Sequence, residues 1–527
     1  MPSALDPDLL AQLPPALRAA VEAQVQALAV ENADLRTRNA RLEHLVRELQ
    51  RARFGPRSEK LHPDQMELAF EDIEVALAAA TEEHDAAVEA RTGERPARTS
   101  RGPRRLPKDL PREERVLEPE DLTCPCGCGE MVRIGEDRSE RLDMTPAQFR
   151  LIVTIRPRYA CPKGRAGIRQ APPAPALIEG GLATEALLAH VAVAKFADHL
   201  PLYRQSQIMA RQGVGIDRST LADWMGKVSF HIAPIVDRMA VLLKRSAKLF
   251  ADETTLPVLD PGAGKTKKGF IWAMLRDDRP WGGSDPPGVV FTYAPGRAGI
   301  HAEEMLKGFE GILQVDGYQG YNRLADGRRA EGGRVRLAFC WAHARRKLIE
   351  ARPSAGSPFV DEALRRIAEL YATEKEIRGQ AHEARRAVRQ ERSKPLLEAM
   401  HPWLVQEAAR LSKKSDLGMA AAYLLDHWPG LVLFPDDGRI EMDSNPVENR
   451  IRPLTLGRKN ALFAGHDEGG QSWARFASVM GTCRLNEVEP YAWLKATLEA
   501  IAAGHPKSDI DALLPWNFPK AAIKAAA

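Results

Sequence analysis

The chain of 527 residues lacks the marks of several protein classes. It has no apolar run of about eighteen residues and no signal peptide, so we expect a cytoplasmic protein, associated with the nucleoid if it binds DNA. Its six cysteines are too few for a disulfide scaffold in so long a chain. The net charge of +4 is small, so charge alone does not predict a nucleic-acid binder.

A complete phosphate-binding loop is also missing. The stretch PGAGKT at 261–266 is similar to one, but Leu259 occupies the place of the first glycine, and the flanking segments are predicted hairpin strands. We therefore exclude a nucleotide site of that type.

The charges that are present are distributed unevenly. Residues 67–90 are acidic, whereas residues 91–112 are basic and contain several prolines. This switch predicts a linker over 61–113. Its basic half is either an arm that contacts DNA or a solvated tether.

A heptad repeat lies near the N-terminus. Its leucines are Leu28, Leu35, Leu42 and Leu49, and asparagines fill two companion positions, Asn32 and Asn39. Leucine at one seam position with asparagine at the other favours a two-stranded parallel coiled coil, because buried amides pair in only one register. We predict a homodimer through residues 1–60; the alternative is an amphipathic helix packed on the protein's own core.

Four cysteines cluster in a turn-rich region. They are Cys124, Cys126, Cys128 and Cys161. Clustered thiolates of this kind predict a structural Zn²⁺ module over 114–172. A second Cys-x-x-Cys pair would need a cysteine where Gly164 stands, so a module without metal is the alternative.

Residues 173–245 follow a helical pattern. A short helix, a turn at Gly213 and a second helix have the layout of a helix-turn-helix, whose second helix enters the major groove. The residues that would lead this recognition helix are Arg218, Ser219 and Thr220. Helix pairs with a glycine turn also occur in ordinary cores, which is the alternative.

The pattern changes to strands after residue 246. The segments AKLFADETTLPVL, KKGFIWAMLRD and GVVFTYAP predict an antiparallel meander, and GILQVDGY and RVRLAFCWAHARRKLIEA add further strands and a helix. Residues 345–440 are predicted to be largely helical. This order indicates a mixed α/β core with a helical insertion.

Acidic side chains occur where this core would carry chemistry. Asp252 lies within an apolar strand, Asp316 ends another, and Glu448 lies in the first turn of a helix whose N-cap we expect at Asn445. A carboxylate among apolar residues is costly unless it is paired or binds a cation. Three such acids would form a cage for two Mg²⁺ or Mn²⁺ ions; aspartates that only form turns are the alternative. The neighbouring acids that could replace a member are Glu253, Glu441 and Asp443.

Over nearly its whole length the chain resembles DDE transposases of the IS66 family of insertion sequences. The resemblance is carried by the zipper and by the stretches KFADHLPLYRQ, ADETTLPV, QVDGYQGYNRL, CWAHARRK and SNPVENRIRPLTLGRKNALFAG. It implies a ribonuclease-H-like catalytic domain, a DDE triad of Asp252, Asp316 and Glu448, and a Cys-x-x-His signature at Cys340 and His343. It also implies phosphodiester hydrolysis at the element ends, followed by transfer of the freed 3′-hydroxyl to target DNA.

The basic half of the last stretch would hold backbone phosphates beside the triad. The residues concerned are Arg450, Arg452, Arg458 and Lys459. His343 is either a contact beside the site or an ordinary core histidine. The expected partners are double-stranded DNA, a second copy of the chain and small accessory transposition proteins.

The sequence thus predicts a multidomain α/β protein. Its predicted segments are a coiled coil at 1–60, a linker at 61–113, a cysteine-rich module at 114–172, a helical DNA-binding domain at 173–245, a catalytic domain at 246–485 with an insertion at about 350–440, and a helical tail at 486–527. Two other functions remain open: a DNA-binding regulator without catalysis, and a nuclease of the same fold without strand transfer.

Overall fold

The computed structural model describes residues 14–26, 28, 30, 33, 148–160, 168–170, 172–260, 265–325 and 335–519. The chain divides into two units, one of residues 1–142 with 526–527 and one of residues 143–525. Within the first unit, helix α1 is described over residues 15–26, and Leu28, which is also helical, is exposed. The other heptad positions and the four clustered cysteines lie outside the described residues.

The second unit begins with a small hairpin and three helices. The hairpin pairs β1 (Arg158–Ala160) antiparallel with β2 (Ile168–Gln170). The helices are α2 (Glu185–Phe196), α3 (Leu202–Arg211) and α4 (Arg218–Leu243). A turn at Gly213, whose φ is +80°, separates α3 from α4, as the sequence predicts.

A five-stranded mixed sheet forms the centre of this unit. Its strands are β3 (Lys248–Asp260), β4 (Lys265–Arg276), β5 (Gly288–Ala294), β6 (Gly311–Val315) and β7 (Val335–Phe339). Their spatial order is β5-β4-β3-β6-β7. The pairs β3–β4 and β4–β5 are antiparallel, whereas β3–β6 and β6–β7 are parallel. The predicted meander and mixed α/β core are therefore confirmed.

Helices connect and follow these strands. They are α5 (Gly299–Met305), α6 (Asn322–Ala325), α7 (Trp341–Ala351), α8 (Pro358–Glu376), α9 (His382–Val388), α10 (Lys394–Arg410), α11 (Asp416–Leu431), α12 (Asn445–Ala461), α13 (Asp467–Leu485) and α14 (Pro490–Ala502). Helices α8 to α11 lie in the stretch predicted to be an insertion, and they share an apolar core with residues of β6, β7 and α7. In the part of the chain that the structure describes, no helix is long and apolar enough to cross a membrane.

Both faces of the sheet are covered. Alternate residues of β3 pack in different apolar cores. Leu249 and Ala251 belong to the core that includes α2 and α4, whereas Phe250 belongs to the core that includes α12. Since side chains alternate along a strand, Asp252 lies on the same face as Phe250, toward α12. The strand pattern thus directs this carboxylate toward the helix that carries Glu448.

The outer edge of β5 is closed by side chains of α13. The Ser478 hydroxyl accepts a hydrogen bond from the amide of Phe291 at 2.8 Å. The Thr482 hydroxyl lies 3.0 Å from both the amide and the carbonyl oxygen of Val289. Ser478 and Thr482 lie one helical turn apart, and their partners Phe291 and Val289 lie two positions apart on the strand. The two hydroxyls are therefore spaced to meet alternate residues of β5.

Candidate active site

Asp252 lies where two central strands separate. The parallel pairing of β3 with β6 ends at Phe250 and Gln314, while Asp252 still pairs with Ala273 of β4. Its Oδ1 accepts a hydrogen bond from the amide of Glu253 at 2.8 Å. The carboxyl ends of parallel strands, where their connections diverge, are the usual place for a ligand crevice in α/β sheets.

Asp316 is the first residue after β6, and contacts on both sides fix it. Its Oδ1 accepts a hydrogen bond from the amide of Tyr318 at 2.8 Å, and its carbonyl oxygen accepts one from the hydroxyl of Tyr423 at 2.8 Å. Gly317 has φ +103°, and a Cβ there would lie 2.8 Å from the Tyr423 hydroxyl and 2.9 Å from the His427 ring. Only glycine suits this turn, because both the backbone conformation and the space exclude a side chain.

Glu448 lies in the first turn of α12. The expected N-cap at Asn445 is off by one residue: Ser444 precedes the helix, and its hydroxyl donates to Glu448 Oε1 at 3.2 Å. The Asn445 amide instead donates to Oδ1 of Asp443 at 3.0 Å. The error has a local cause, since Ser, Asn and Asp are all strong cap formers and this segment contains all three. One oxygen of Glu448 is thus held toward Ser444.

Asp316 and Glu448 lie close enough to Asp252 for their charges to act on it. Burial raises the pKa of Asp252 well above its usual value, and the negative charges of Asp316, Glu253 and Glu448 raise it further. Like charges in a partly buried site favour protonation unless a cation lies between them. The charges of the two acids from β6 and α12 thus act on the acid of β3, as expected of carboxylates in one neighbourhood.

Cys340 and His343 lie beside Glu448. Cys340 precedes α7, and its buried Sγ accepts the amide hydrogen bond of Ser444 at 3.2 Å. Burial raises the pKa of this thiol to about 12. His343 Nδ1 lies 3.6 Å from Glu448 Oε1; this nitrogen is buried and has no hydrogen-bond partner among the described residues. Burial lowers the pKa of His343, while the charges of Glu448 and Asp316 act in the opposite direction.

The alternative acids are engaged elsewhere. The buried carboxylate of Glu253 binds Arg297 and the hydroxyl of Tyr321, with distances of 2.8 and 2.9 Å. Glu441 accepts two hydrogen bonds from the buried Arg385 guanidinium, at 2.8 and 3.1 Å. Burial raises the pKa of Asp443 to about 6. Two of the three thus neutralise arginines.

Gln314 connects the strand of Asp316 to the segment before Glu448, a role that sequence reasoning missed. The side chain is fully buried in β6. Its amide nitrogen donates to the carbonyl oxygens of Glu441 and Asp443, and its amide oxygen accepts from the Glu441 amide at 3.2 Å. The sequence showed only that Gln314 is a polar residue in an apolar strand. This pattern does not indicate which residues it contacts.

The far end of α12 is attached to β3. Arg458 donates hydrogen bonds to the carbonyl and hydroxyl oxygens of Thr255. The following segment pairs with β3 through Ala464, whose amide donates to the Pro257 carbonyl at 2.9 Å. Contacts with the sheet therefore fix both ends of the helix that carries Glu448.

The basic residues predicted to bind DNA differ in their surroundings. Arg450 and Arg458 are half-buried, and burial lowers the pKa of each. Lys459 is exposed and Arg452 is half-buried. At the start of α4, Arg218 and Ser219 are exposed and Thr220 is half-buried, which is compatible with their predicted role.

Family models match four stretches of the chain. Residues 180–472 match "Transposase IS66 family", and residues 478–516 match "IS66 C-terminal element". Residues 121–163 match "zinc-finger binding domain of transposase IS66", and residues 41–115 match "Transposase C of IS166 homeodomain", a leucine-zipper region. The zinc-finger stretch includes all four clustered cysteines, and the zipper stretch includes Leu42 and Leu49.

Curated relatives extend this similarity along the chain. "Uncharacterized protein y4qI" of Sinorhizobium fredii is 44% identical over 96% of this chain and 95% of its own length. "Uncharacterized protein y4jD" of the same organism is 42% identical over 92% of this chain and 94% of its own length. Taken with the family matches, these similarities show that the chain belongs to the IS66 family of transposases.

Proposed function

We propose that the protein cleaves DNA at the ends of an insertion sequence and joins the freed ends to target DNA, with Asp252, Asp316 and Glu448 as its catalytic carboxylates. Family membership implies transposase activity, DNA binding and a divalent metal. The residue assignment is supported by the surroundings of Asp252, a strand carboxylate whose pKa is raised by burial and by the nearby charges of Asp316 and Glu448, which come from two other segments. A DNA-binding regulator would have no need of this arrangement.

The sheet order supports a ribonuclease-H-like domain. Strands β3, β4 and β5 pair antiparallel in chain order. Strands β6 and β7 continue the sheet on the other side of β3 and run parallel to it. The acids come from the central strand, from the end of its parallel neighbour and from a helix after the insertion. We assign the catalytic domain to residues 246–485 on these grounds.

The donor set fits Mg²⁺ or Mn²⁺. All three side chains offer carboxylate oxygens, which are the ligands that hard divalent ions prefer. Two ions held there would activate the attacking oxygen and stabilise the leaving oxygen of the phosphodiester. The positive charge would also relieve the repulsion that raises the pKa of Asp252.

The surrounding residues hold these carboxylates in place. Tyr423 and the amide of Tyr318 fix Asp316. Ser444 holds one oxygen of Glu448, and His343 lies within reach of the same oxygen. The exposed Lys459 and the half-buried Arg452 are placed to contact backbone phosphates, whereas Arg458 would first have to release Thr255.

The remaining assignments follow the family matches. We propose that Cys124, Cys126, Cys128 and Cys161 hold a structural Zn²⁺, that the zipper joins two copies, and that α3 and α4 form the DNA-reading helix pair. The helix–turn–helix layout and the exposed Arg218 and Ser219 at the start of α4 support the last of these.

Replacing Asp316 by asparagine tests the proposal. This isosteric change removes a ligand charge, so we expect Mg²⁺- or Mn²⁺-dependent cleavage of an element-end duplex to fall by more than about a hundredfold, since even residues that only orient a metal ligand reach that range. DNA binding, measured by gel shift, should persist. Cleavage is followed on labelled DNA, and joining to a target plasmid separates a transposase from a simple nuclease.

Asp509→Asn is the matched control, because Asp509 is exposed and lies in the C-terminal 3₁₀ segment. It should cleave like the unmodified protein. Cleavage by Asp316→Asn at the rate of this control would overturn the assignment.

A further inference from the structure

We propose a second metal site, for a thiophilic ion such as Zn²⁺, formed by Cys340, His343 and Glu448. One ligand atom from each residue lies within 4.8 Å of the other two. Within the described part of the chain, these three residues bring a sulfur, a nitrogen and an oxygen donor together. The site is distinct from the all-carboxylate cage, although it shares Glu448 with it.

Local geometry explains why these side chains meet. Cys340 precedes α7 and His343 is its third residue, while Glu448 lies in the first turn of α12. The two helices thus present their N-terminal ends to one another. Helix N-termini stabilise negative charge, but burial keeps the Cys340 thiol protonated until a metal ion displaces its proton. The resulting thiolate and the Glu448 carboxylate together balance a doubly charged ion.

The distances suit four-coordinate zinc. Zinc lies about 2.0–2.3 Å from its ligands, which places tetrahedral ligand atoms about 3.5 Å apart. His343 Nδ1 and Glu448 Oε1 are separated by 3.6 Å. The Cys340 sulfur lies within 4.8 Å of a ring nitrogen of His343 and of a carboxylate oxygen of Glu448. A side-chain adjustment of about 1 Å therefore completes the set.

A second observation also points to a ligand. His343 Nδ1 is buried and has no hydrogen-bond partner in the part of the chain that the structure describes, a state that costs free energy. A metal ion bound between His343 and Glu448 would satisfy this nitrogen. The Ser444 amide, which donates to Cys340 Sγ at 3.2 Å, would then orient the ligating sulfur, as neighbours of metal ligands commonly do.

The donor types determine the class of ion. Sulfur and imidazole nitrogen select Zn²⁺, Co²⁺ or Cd²⁺ over Mg²⁺, which prefers oxygen ligands. Three protein ligands leave a fourth position for water. Since Glu448 would be drawn away from Asp252 and Asp316, a thiophilic ion should inhibit Mg²⁺-dependent cleavage; this consequence alone rests on the proposed function.

Metal binding by the full chain provides the first test. We would titrate unmodified protein, Cys340→Ser and Cys483→Ser with Cd²⁺, following thiolate-to-metal absorption and bound ions after dialysis. Cys483 is the matched control, because it is the other buried free cysteine among the described residues. Serine at 340 keeps a hydrogen-bond acceptor for Ser444 but removes the soft donor.

We expect Cys340→Ser to bind one ion fewer than both the unmodified protein and Cys483→Ser. Equal numbers of bound ions in all three proteins would overturn the proposal. The cysteine-rich module contributes equally to each and cancels in the comparison. If circular dichroism shows that Cys340→Ser is unfolded, His343→Gln provides the same comparison.

Inhibition of cleavage provides the second test. With Mg²⁺ in excess, added Zn²⁺ should halve the activity of the unmodified protein at a concentration at least tenfold lower than that needed for Cys340→Ser, each relative to its own uninhibited rate. Loss of one bound ion without this shift would show that Glu448 is not shared. If no cleavage occurs at all, the proposed function fails, while ion binding still decides the second site.

Discussion

Lys248 carries a charge into the centre of the fold. Its side chain is 2% exposed, and its ammonium lies 4.2 Å from the ring centre of Phe250, without a hydrogen-bond partner among the described residues. Burial lowers its pKa to about 8, against the opposing attraction of Glu441 and Asp278. At neutral pH the folded protein therefore holds a costly buried cation.

Lys248→Met is expected to raise the free energy of unfolding at pH 7 by on the order of 2 kcal/mol, since methionine fills similar space without a charge. The gain should shrink with rising pH. The folded pKa of about 8 lies below the usual 10.5, so the unfolded chain holds the proton more tightly between these values. The unmodified protein thus gains stability as the pH rises through this window, and below it the penalty is complete.

Urea unfolding at several pH values measures this effect. Lys413→Met, on an exposed loop, is the control and should show no such pH-dependent gain. A stability gain for Lys248→Met that is equal at pH 7 and pH 10.5 would contradict the assignment of the penalty to the buried charge.

At the scale of elements, the central strands and many helices of the second unit could be predicted from sequence. The segments AKLFADETTLPVL and GILQVDGY indicated strands, which β3 and β6 confirm. The assembly between them could not be predicted. Gln314 and His343 acquire their meaning from residues more than a hundred positions away, and a single sequence contains no signal for such pairings.

The Gln314 contact gives a prediction at this scale. Gln314→Ala leaves the buried backbone groups of Glu441 and Asp443 without partners, at a cost of roughly 1–3 kcal/mol. Because this segment leads directly into α12, we also expect the Mn²⁺ concentration for half-maximal cleavage to rise several-fold. Unfolding curves and a metal titration of cleavage measure the two effects.

Gln205→Ala is a matched control, since the buried Gln205 also donates to two carbonyl oxygens, those of Val191 and Leu200, away from the site. It should lose stability without a change in metal requirement. An equal shift in metal requirement for both variants would mean that Gln314 acts through stability alone.

For the whole molecule, we expect the N-terminal segment to determine how copies associate. Its heptad leucines and paired asparagines predict a parallel dimer, and a family model for a leucine-zipper region matches from residue 41 onward. Removing residues 1–50 should convert the dimer to a monomer in sedimentation or light-scattering experiments, since the catalytic unit would lose its predicted seam.

Leu42→Ala in the full chain should weaken the dimer in the same direction, because in the predicted coiled coil each seam leucine would pack against its counterpart. Leu182→Ala is a suitable control, since Leu182 is an exposed leucine outside the repeat, and it should leave the oligomer as it is. If the deletion leaves the oligomeric state unchanged, the predicted zipper does not join the copies.

The closed edge of β5 bears on the solubility of such an assembly. An open strand edge is a template on which another chain can add its own strand, and crowding of several copies on one DNA would favour that reaction. Ser478 and Thr482 already bind the backbone groups of Phe291 and Val289 on this edge of β5. High local concentration at a DNA end can therefore promote the intended pairing of protomers without seeding strand-to-strand aggregation at this edge.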